Sequence, residues 1–271
     1  MTQTPTFQAT LRFLAPSERN PVYRASEGGA DAQLELDGEF EDHIVDIENG
    51  RLASRPPTID REAFALLEHT SDVGDFYDDR QINTVYTSEV ERIVRDATGA
   101  ARTHAFDHTR RAASRDARGQ FGTREPSTVV HNDYTDKSGP QRVRDIMGEE
   151  AEDLLSRRFT IINVWRPIRH PAETSMLAIC DAASTTPDQL LDVPRIAKDR
   201  IGELMLAYYD KNQRWVTYPA MTPAEALLLK TFDTETDGRA RFAIHTAFDN
   251  PAPPPGALPR ESIESRVFAF F

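Results

Sequence analysis

Phe7, Ala9, Leu11 and Phe13 alternate with Gln8, Thr10 and Arg12, the two-residue period of a strand with one buried face. The same alternation flanks Asp37-Gly38 in AQLELDGEFEDHIVDI, a pairing of turn and pattern that predicts a β-hairpin. Residues 60–69 read as helical. Ser88 and Glu91 have capping-box spacing ahead of Val90, Ile93, Val94 and Ala97, and Gly99 stands where a left-handed residue ends a helix. Residues 100–126 carry Arg, Asp, Thr and Gly without periodicity and predict a long surface loop or lid.

Beyond that point apolar runs dominate. STVVHNDY predicts a short strand, and residues 141–157 a helix with Val143, Ile146, Met147, Leu154 and Leu155 on its inner stripe. RFTIINVWRP is a nearly continuous buried strand stopped by Pro167, and SMLAICD is another. ELMLAYYDKNQRWVTYP predicts a hairpin turning at 210–213, and Thr222, Pro223 and Glu225 a short helix start. LLLKTFD, ARFAIHTAFD and ESIESRVFAFF supply three further strands. Helices early and strands late argue for an α+β protein whose core is mainly β, an antiparallel barrel or jelly roll with flanking helices.

The chain has 271 residues, enough for one elaborated domain, and a formal net charge of -12. Residues 126–271 would form the core, with 1–125 an N-terminal extension carrying lid elements. Acidity without a dominant basic patch argues against nucleic acid and against an anionic membrane surface. The longest apolar run, Leu204 to Tyr209, is six residues, far short of the ~18 a membrane span needs. The N-terminus has neither the basic nor the apolar region of a secretory signal, so a cytoplasmic location is the expectation. A single cysteine, Cys180, excludes an intramolecular disulfide and any zinc site built on paired thiolates. Metal here must be held by His, Asp or Glu.

Among seven histidines, His131 ends an apolar strand and precedes Asp133 by two residues, so both side chains can share one face. His245 lies between Ala243 and Ala247 on its own face, small neighbours that leave room beside the ring. Two imidazoles and one carboxylate on one side make the facial triad that holds Fe(II) and leaves adjacent positions open. An isolated H-x-D is common and is usually a structural pair. The end of the chain adds weight, because Arg260 and Ser262 are spaced to share a strand face and offer a guanidinium fork and a hydroxyl to a carboxylate.

With these residues in that order, the sequence resembles the Fe(II)/2-oxoglutarate-dependent oxygenases. VHNDYT, RFTIINVWRPI, LAICDA, MTPAEALLLKTFD, HTAFDNP and PRESIESR are similar to the fungal hydroxylase/desaturase family of secondary metabolism, chiefly over residues 125–271. The resemblance implies a double-stranded β-helix, iron at His131, Asp133 and His245, and 2-oxoglutarate held by Arg260 with Ser262. Arg266 shares strand parity with Arg260, so either arginine could be the anchor. Dioxygen is the implied second cosubstrate, and a small molecule undergoes hydroxylation, desaturation or oxidative cyclisation.

Asn163, Trp165 and Arg166 follow one another in a strand expected to line the barrel and are candidate substrate contacts. His104 and His108, four apart around Asp107, form a rival metal motif, but the segment lacks a helical apolar stripe and reads as solvated. Two readings from other classes compete: a non-enzymatic jelly-roll binding protein filled by His131 and His245, and a hydrolase whose metal activates water.

Overall fold

The structure, a computed structural model, describes residues 5–198 and 200–271. Four strands open the chain: β1 (Thr6–Leu14), β2 (Val22–Arg24), β3 (Glu35–Asp37) and β4 (Phe40–Asn49). After β5 (Phe64–Glu68), helix α1 (Asp79–Gln81) passes through a π turn at Ile82–Tyr86 into α2 (Thr87–Thr98). Next come β6 (Arg102–Ala112), α3 (Arg115–Phe121), β7 (His131–Asn132), α4 (Ser138–Met147) and α5 (Ala151–Leu155). The remainder is strand: β8 (Phe159–Pro167), β9 (Ser175–Cys180), β10 (Leu190–Ala197), β11 (Arg200–Ala207), β12 (Trp215–Thr217), β13 (Glu225–Asp233), β14 (His245–Asp249) and β15 (Glu261–Phe270).

Two sheets result. The larger has ten strands in the order β1-β4-β12-β9-β14-β7-β11-β10-β2-β3, and the smaller has five in the order β5-β13-β8-β15-β6. The large sheet curls until β1 returns beside β7, where Arg12 bridges Val129, and Leu14 bridges Tyr208. Leu11, Phe13, Ile47, Cys180, Trp215 and Ile244 fill the inside of that curl. This is a jelly roll with flanking helices, as expected.

Helix α2 packs Val90, Ile93 and Val94 on the outer face of the small sheet, against Ile162, Val164 and Val267. Full burial of such a side chain contributes roughly 1.5–3 kcal/mol. Gly99, at φ 71°, ends this helix by donating its N–H to the Arg95 carbonyl at 2.8 Å. The start differs from the Ser88 expectation. Asp78 caps the first turn at Arg80 N, and Ser88 instead donates to the Val85 carbonyl inside the helix.

Several local expectations give way to long-range pairing. β3 pairs with β2 and β4 with β1, so Asp37-Gly38 is a turn between strands that do not pair with each other. β11 pairs with β10 and β7 while β12 pairs with β4 and β9, so residues 203–219 turn without forming a hairpin. Phe64–Glu68 is a strand on β13 rather than part of a helix, and β13 itself begins at Glu225 in place of the expected helix start. The expected loop or lid at 100–126 instead contains β6, which pairs with β15 from Arg102 to Ala112, followed by α3. Strands from both sides of residue 125 therefore build each sheet.

Candidate metal and cosubstrate site

His131 lies on β7 and His245 opens β14, and the two residues face each other in the antiparallel β7–β14 pair. Their ring centroids are 4.6 Å apart. Each Nδ1 is within 2.8 Å of a backbone carbonyl two residues earlier, Val129 for His131 and Ala243 for His245. With Nδ1–H donating, each Nε2 lone pair is directed into the space between the sheets. Asp133 completes the group, and one ligand atom from each of the three residues lies within 4.8 Å of the others. Among the described residues, no other cluster of His, Cys, Asp and Glu meets that condition.

The small sheet holds Asp133 in place. Asn163 Nδ2 on β8 donates to Asp133 Oδ2 at 2.7 Å, and Arg266 Nε on β15 donates to the same oxygen at 2.9 Å. Oδ1 is left facing His131 Nε2 at 3.7 Å. Burial alone would raise the Asp133 carboxyl, but Arg266, then the two histidines and the Asn163 bond hold it well below the usual carboxylate range. Burial, reinforced by His245, pushes the His131 imidazole down to about 3. An ionised carboxylate beside a neutral imidazole is the protonation state a divalent cation needs.

The two candidate anchor arginines are in different circumstances. Arg266 is pinned by carboxylates, pairing with Asp133, Asp107 and Glu264. Arg260 is 1% exposed, and among the described residues the only hydrogen bond of its guanidinium runs from Nη1 to the Ser175 carbonyl at 3.2 Å. Its Nε and the hydroxyl of Ser262 are buried with no hydrogen-bond partner among the described residues. Burial, then Arg111, pushes Arg260 down to about 9. A buried fork with a free Nε and a neighbouring hydroxyl without a partner fit the distal carboxylate of a keto diacid, whereas Arg266 is engaged at all three nitrogens.

Of the candidate substrate contacts, Asn163 reaches the site and Trp165 faces the space between the sheets, where the Arg260 guanidinium lies 5.6 Å from its ring centroid. Arg166 does not reach it. Strand alternation turns it outward beneath the helical layer, with Nη2 at 3.0 Å from His69 Nδ1 and the guanidinium 5.4 Å from the Tyr86 ring centroid. The rival histidine motif disperses in the same way, since His108, on strand β6, bonds Thr87 of α2 and Ser265 of β15. Cys180 is buried, and burial pushes its thiol up to about 11. Sequence reasoning missed that Asp107 and Arg195 come near Asp133; Asp107 was read only within the rival histidine motif, Arg195 lies in no motif, and only the strand pairing brings them there.

A jelly roll that carries two imidazoles and one carboxylate between its sheets defines a mononuclear metal oxygenase architecture. The family model described as "Oxidoreductase/YMDC permease-like domain" matches residues 11–270. The chain is 32% identical over 257 residues to the hydroxylase/desaturase CTB9 of Cercospora beticola, covering 86% of this chain and 78% of that protein. It is also 32% identical over 189 residues to the Fe(II)/2-oxoglutarate-dependent dioxygenase nvfI of Aspergillus novofumigatus, covering 68% of this chain and 66% of that one. A solved structure of the iron and alpha-ketoglutarate-dependent endoperoxidase NvfI superposes with a TM-score of 0.84 at 24% identity, over 99% of both chains, which shows a shared fold. The protein belongs to the fungal hydroxylase/desaturase family of Fe(II)/2-oxoglutarate-dependent oxygenases. Iron, 2-oxoglutarate and dioxygen come with that membership, and the alternatives of a non-enzymatic binding protein and a metal hydrolase fall away. No described helix is long and apolar enough to cross a membrane.

Proposed function

We propose that His131, Asp133 and His245 hold one Fe(II), that Arg260 and Ser262 receive the distal carboxylate of 2-oxoglutarate, and that the enzyme oxidises a small molecule of secondary metabolism by hydroxylation, desaturation or ring formation. The observation that carries this reading is the pairing of a preorganised triad with a buried arginine Nε and serine hydroxyl that have no partner among the described residues. Bound iron with 2-oxoglutarate and dioxygen supplies the oxidising power to remove a substrate hydrogen.

The chain's own residues do the rest. The Val129 and Ala243 carbonyls orient the two imidazoles, while Asn163 and Arg266 keep Asp133 ionised and fixed through Oδ2. Trp165, Leu177, Ile179 and Leu229 wall off the neighbouring space and exclude water. Anaerobic titration with Fe(II) and then 2-oxoglutarate tests the assignment through the visible charge-transfer band of the chelate. Single Ala variants at His131, Asp133 and His245 should each lose iron and the band. Retention of full iron content by all three would refute the ligand set.

A further inference from the structure

Beside Asp133, on the side bounded by Arg266, lies a cavity of about 420 Å³. That size suits a small molecule. Its wall is unusual in a chain of net charge -12, because six basic side chains face it against three carboxylates.

The three carboxylates are already committed. Asp107 and Asp133 pair with Arg266, and Glu203 pairs with Lys137 at 2.6 Å. Four of the five arginines are not. Arg124 and Arg195 have no carboxylate within 4.0 Å among the described residues, and Arg142 and Arg200 share Asp145 only at 4.0 Å each. Burial first, then neighbouring guanidiniums, lowers Arg124 and Arg200, with Arg111 and Arg195 acting on the former and Arg142 on the latter. Arg195 is likewise lowered, mainly by burial, with Arg266 and Arg200 adding to it against Tyr23. Like charges gathered in a part-buried space destabilise the fold unless an anion joins them. Arginine's fork matches carboxylate and phosphate oxygens in particular.

Neither Arg260 nor Ser262 lines this cavity, so the cosubstrate's proposed anchor and the arginine cluster are separate, with the triad carboxylate at the edge of the second. We propose that the cavity is the substrate pocket and that Arg124, Arg195 and Arg200 receive an anionic oxygen group of the substrate, a carboxylate or a phosphate ester. This rests on the reading that the triad holds iron and Arg260 holds 2-oxoglutarate. The anionic group anchors one end of the substrate and places a carbon beside the triad.

The test uses the enzyme loaded with Fe(II) and saturating 2-oxoglutarate under anaerobic conditions, titrated calorimetrically with 1-naphthoate, 1-naphthyl phosphate and the neutral 1-naphthamide. At least one anion should bind about tenfold or more tighter than the amide, the worth of one charge-assisted hydrogen bond, and which anion does so separates carboxylate from phosphate. Arg195→Gln and Arg124→Gln should each remove most of that preference, and Arg195→Lys should restore part of it. Titration of 2-oxoglutarate itself should be unchanged in these variants. Equal binding of anions and amide to the parent enzyme overturns the proposal, as does an undiminished preference in both folded Gln variants. If Arg195→Gln abolishes 2-oxoglutarate binding while Arg260→Gln does not, the cluster is the cosubstrate site and both assignments fall. If Arg260→Gln keeps 2-oxoglutarate yet the anion preference still depends on Arg195, only the Arg260 assignment falls.

Discussion

Arg266 and Asp133, 133 residues apart in sequence, are joined by a 2.9 Å contact from Nε to Oδ2. That contact ties the last strand of the small sheet to the carboxylate of the triad. Asn163 occupies the same oxygen, so Asp133 is held from one side and free on the other.

Arg260→Gln and Arg266→Gln should therefore separate cleanly. The first should raise the 2-oxoglutarate concentration for half-saturation about tenfold or more, since a lost charge-assisted bond costs ~1.5–3 kcal/mol, while iron binding stays within about twofold. The second leaves Asp133, Asp107 and Glu264 without their cation. It should cost about 3–5 kcal/mol of stability and weaken iron binding as well. Charge-transfer titration beside urea unfolding measures both, and the opposite pattern would make Arg266 the anchor.

Asn163→Leu keeps the bulk and removes the 2.7 Å bond to Asp133. Loss of such an outer partner lowers metal affinity by about 10–100-fold. Competitive Fe(II) titration against a chelator checks this, and an unchanged affinity would mean Arg266 alone suffices to hold Asp133.

Arg166→Gln should behave as a stability variant. Its hydrogen bonds run to His69 and the Pro223 carbonyl, on the far side of the strand from the triad. A loss of about 1–3 kcal/mol in urea unfolding, with iron and 2-oxoglutarate titrations unmoved, is the expected result. An altered titration in a stably folded variant would contradict the placement.

His108 gives a pH dependence. Burial, opposed by Asp107, lowers its folded pKa below the ordinary value of ~6.5. The unfolded chain therefore takes up the proton first, so the stability this group contributes is present above about pH 6.5 and is lost as pH falls below it. The slope approaches ~1.4 kcal/mol per pH unit for one proton. Urea unfolding near pH 7.5 and near pH 5.5 should show His108→Gln losing less than the parent, and equal losses would place the acid sensitivity elsewhere.

Strands with a buried face or two were legible because their own residues carry the signal. β1 alternates, and β8 is buried at all nine positions. The triad was legible for a related reason: His131 and Asp133 are local, and His245 is marked by its small neighbours. β6 was not, because it is an edge strand paired only with β15, and most of its side chains are half-buried on both faces. Polar residues suit such a strand, so no period of two appears. The apparent hairpins failed because each strand takes partners other than its neighbour across the turn, as when Trp215 on β12 pairs with Ile47 on β4 and Cys180 on β9. Arg166 was misplaced by one step of alternation, which a run buried on both faces does not display. The arginine cluster had no motif to mark it, since the β10–β11 pair that carries Arg195 and Arg200 meets Arg124, after α3, only through the tertiary fold.

The place of β15, paired between β6 and β8, bears on how the protein matures in a cell. Until β15 has docked, a folding chain that already brings His131, Asp133 and His245 together lacks the guanidinium of Arg266 and the hydroxyl of Ser262 beside them. The three proposed ligands are then together, but only Asn163 aims the carboxylate. Secure loading with iron should thus follow the docking of β15, and a folding intermediate in which that strand is still loose should retain metal poorly even though all three proposed ligands are already in place.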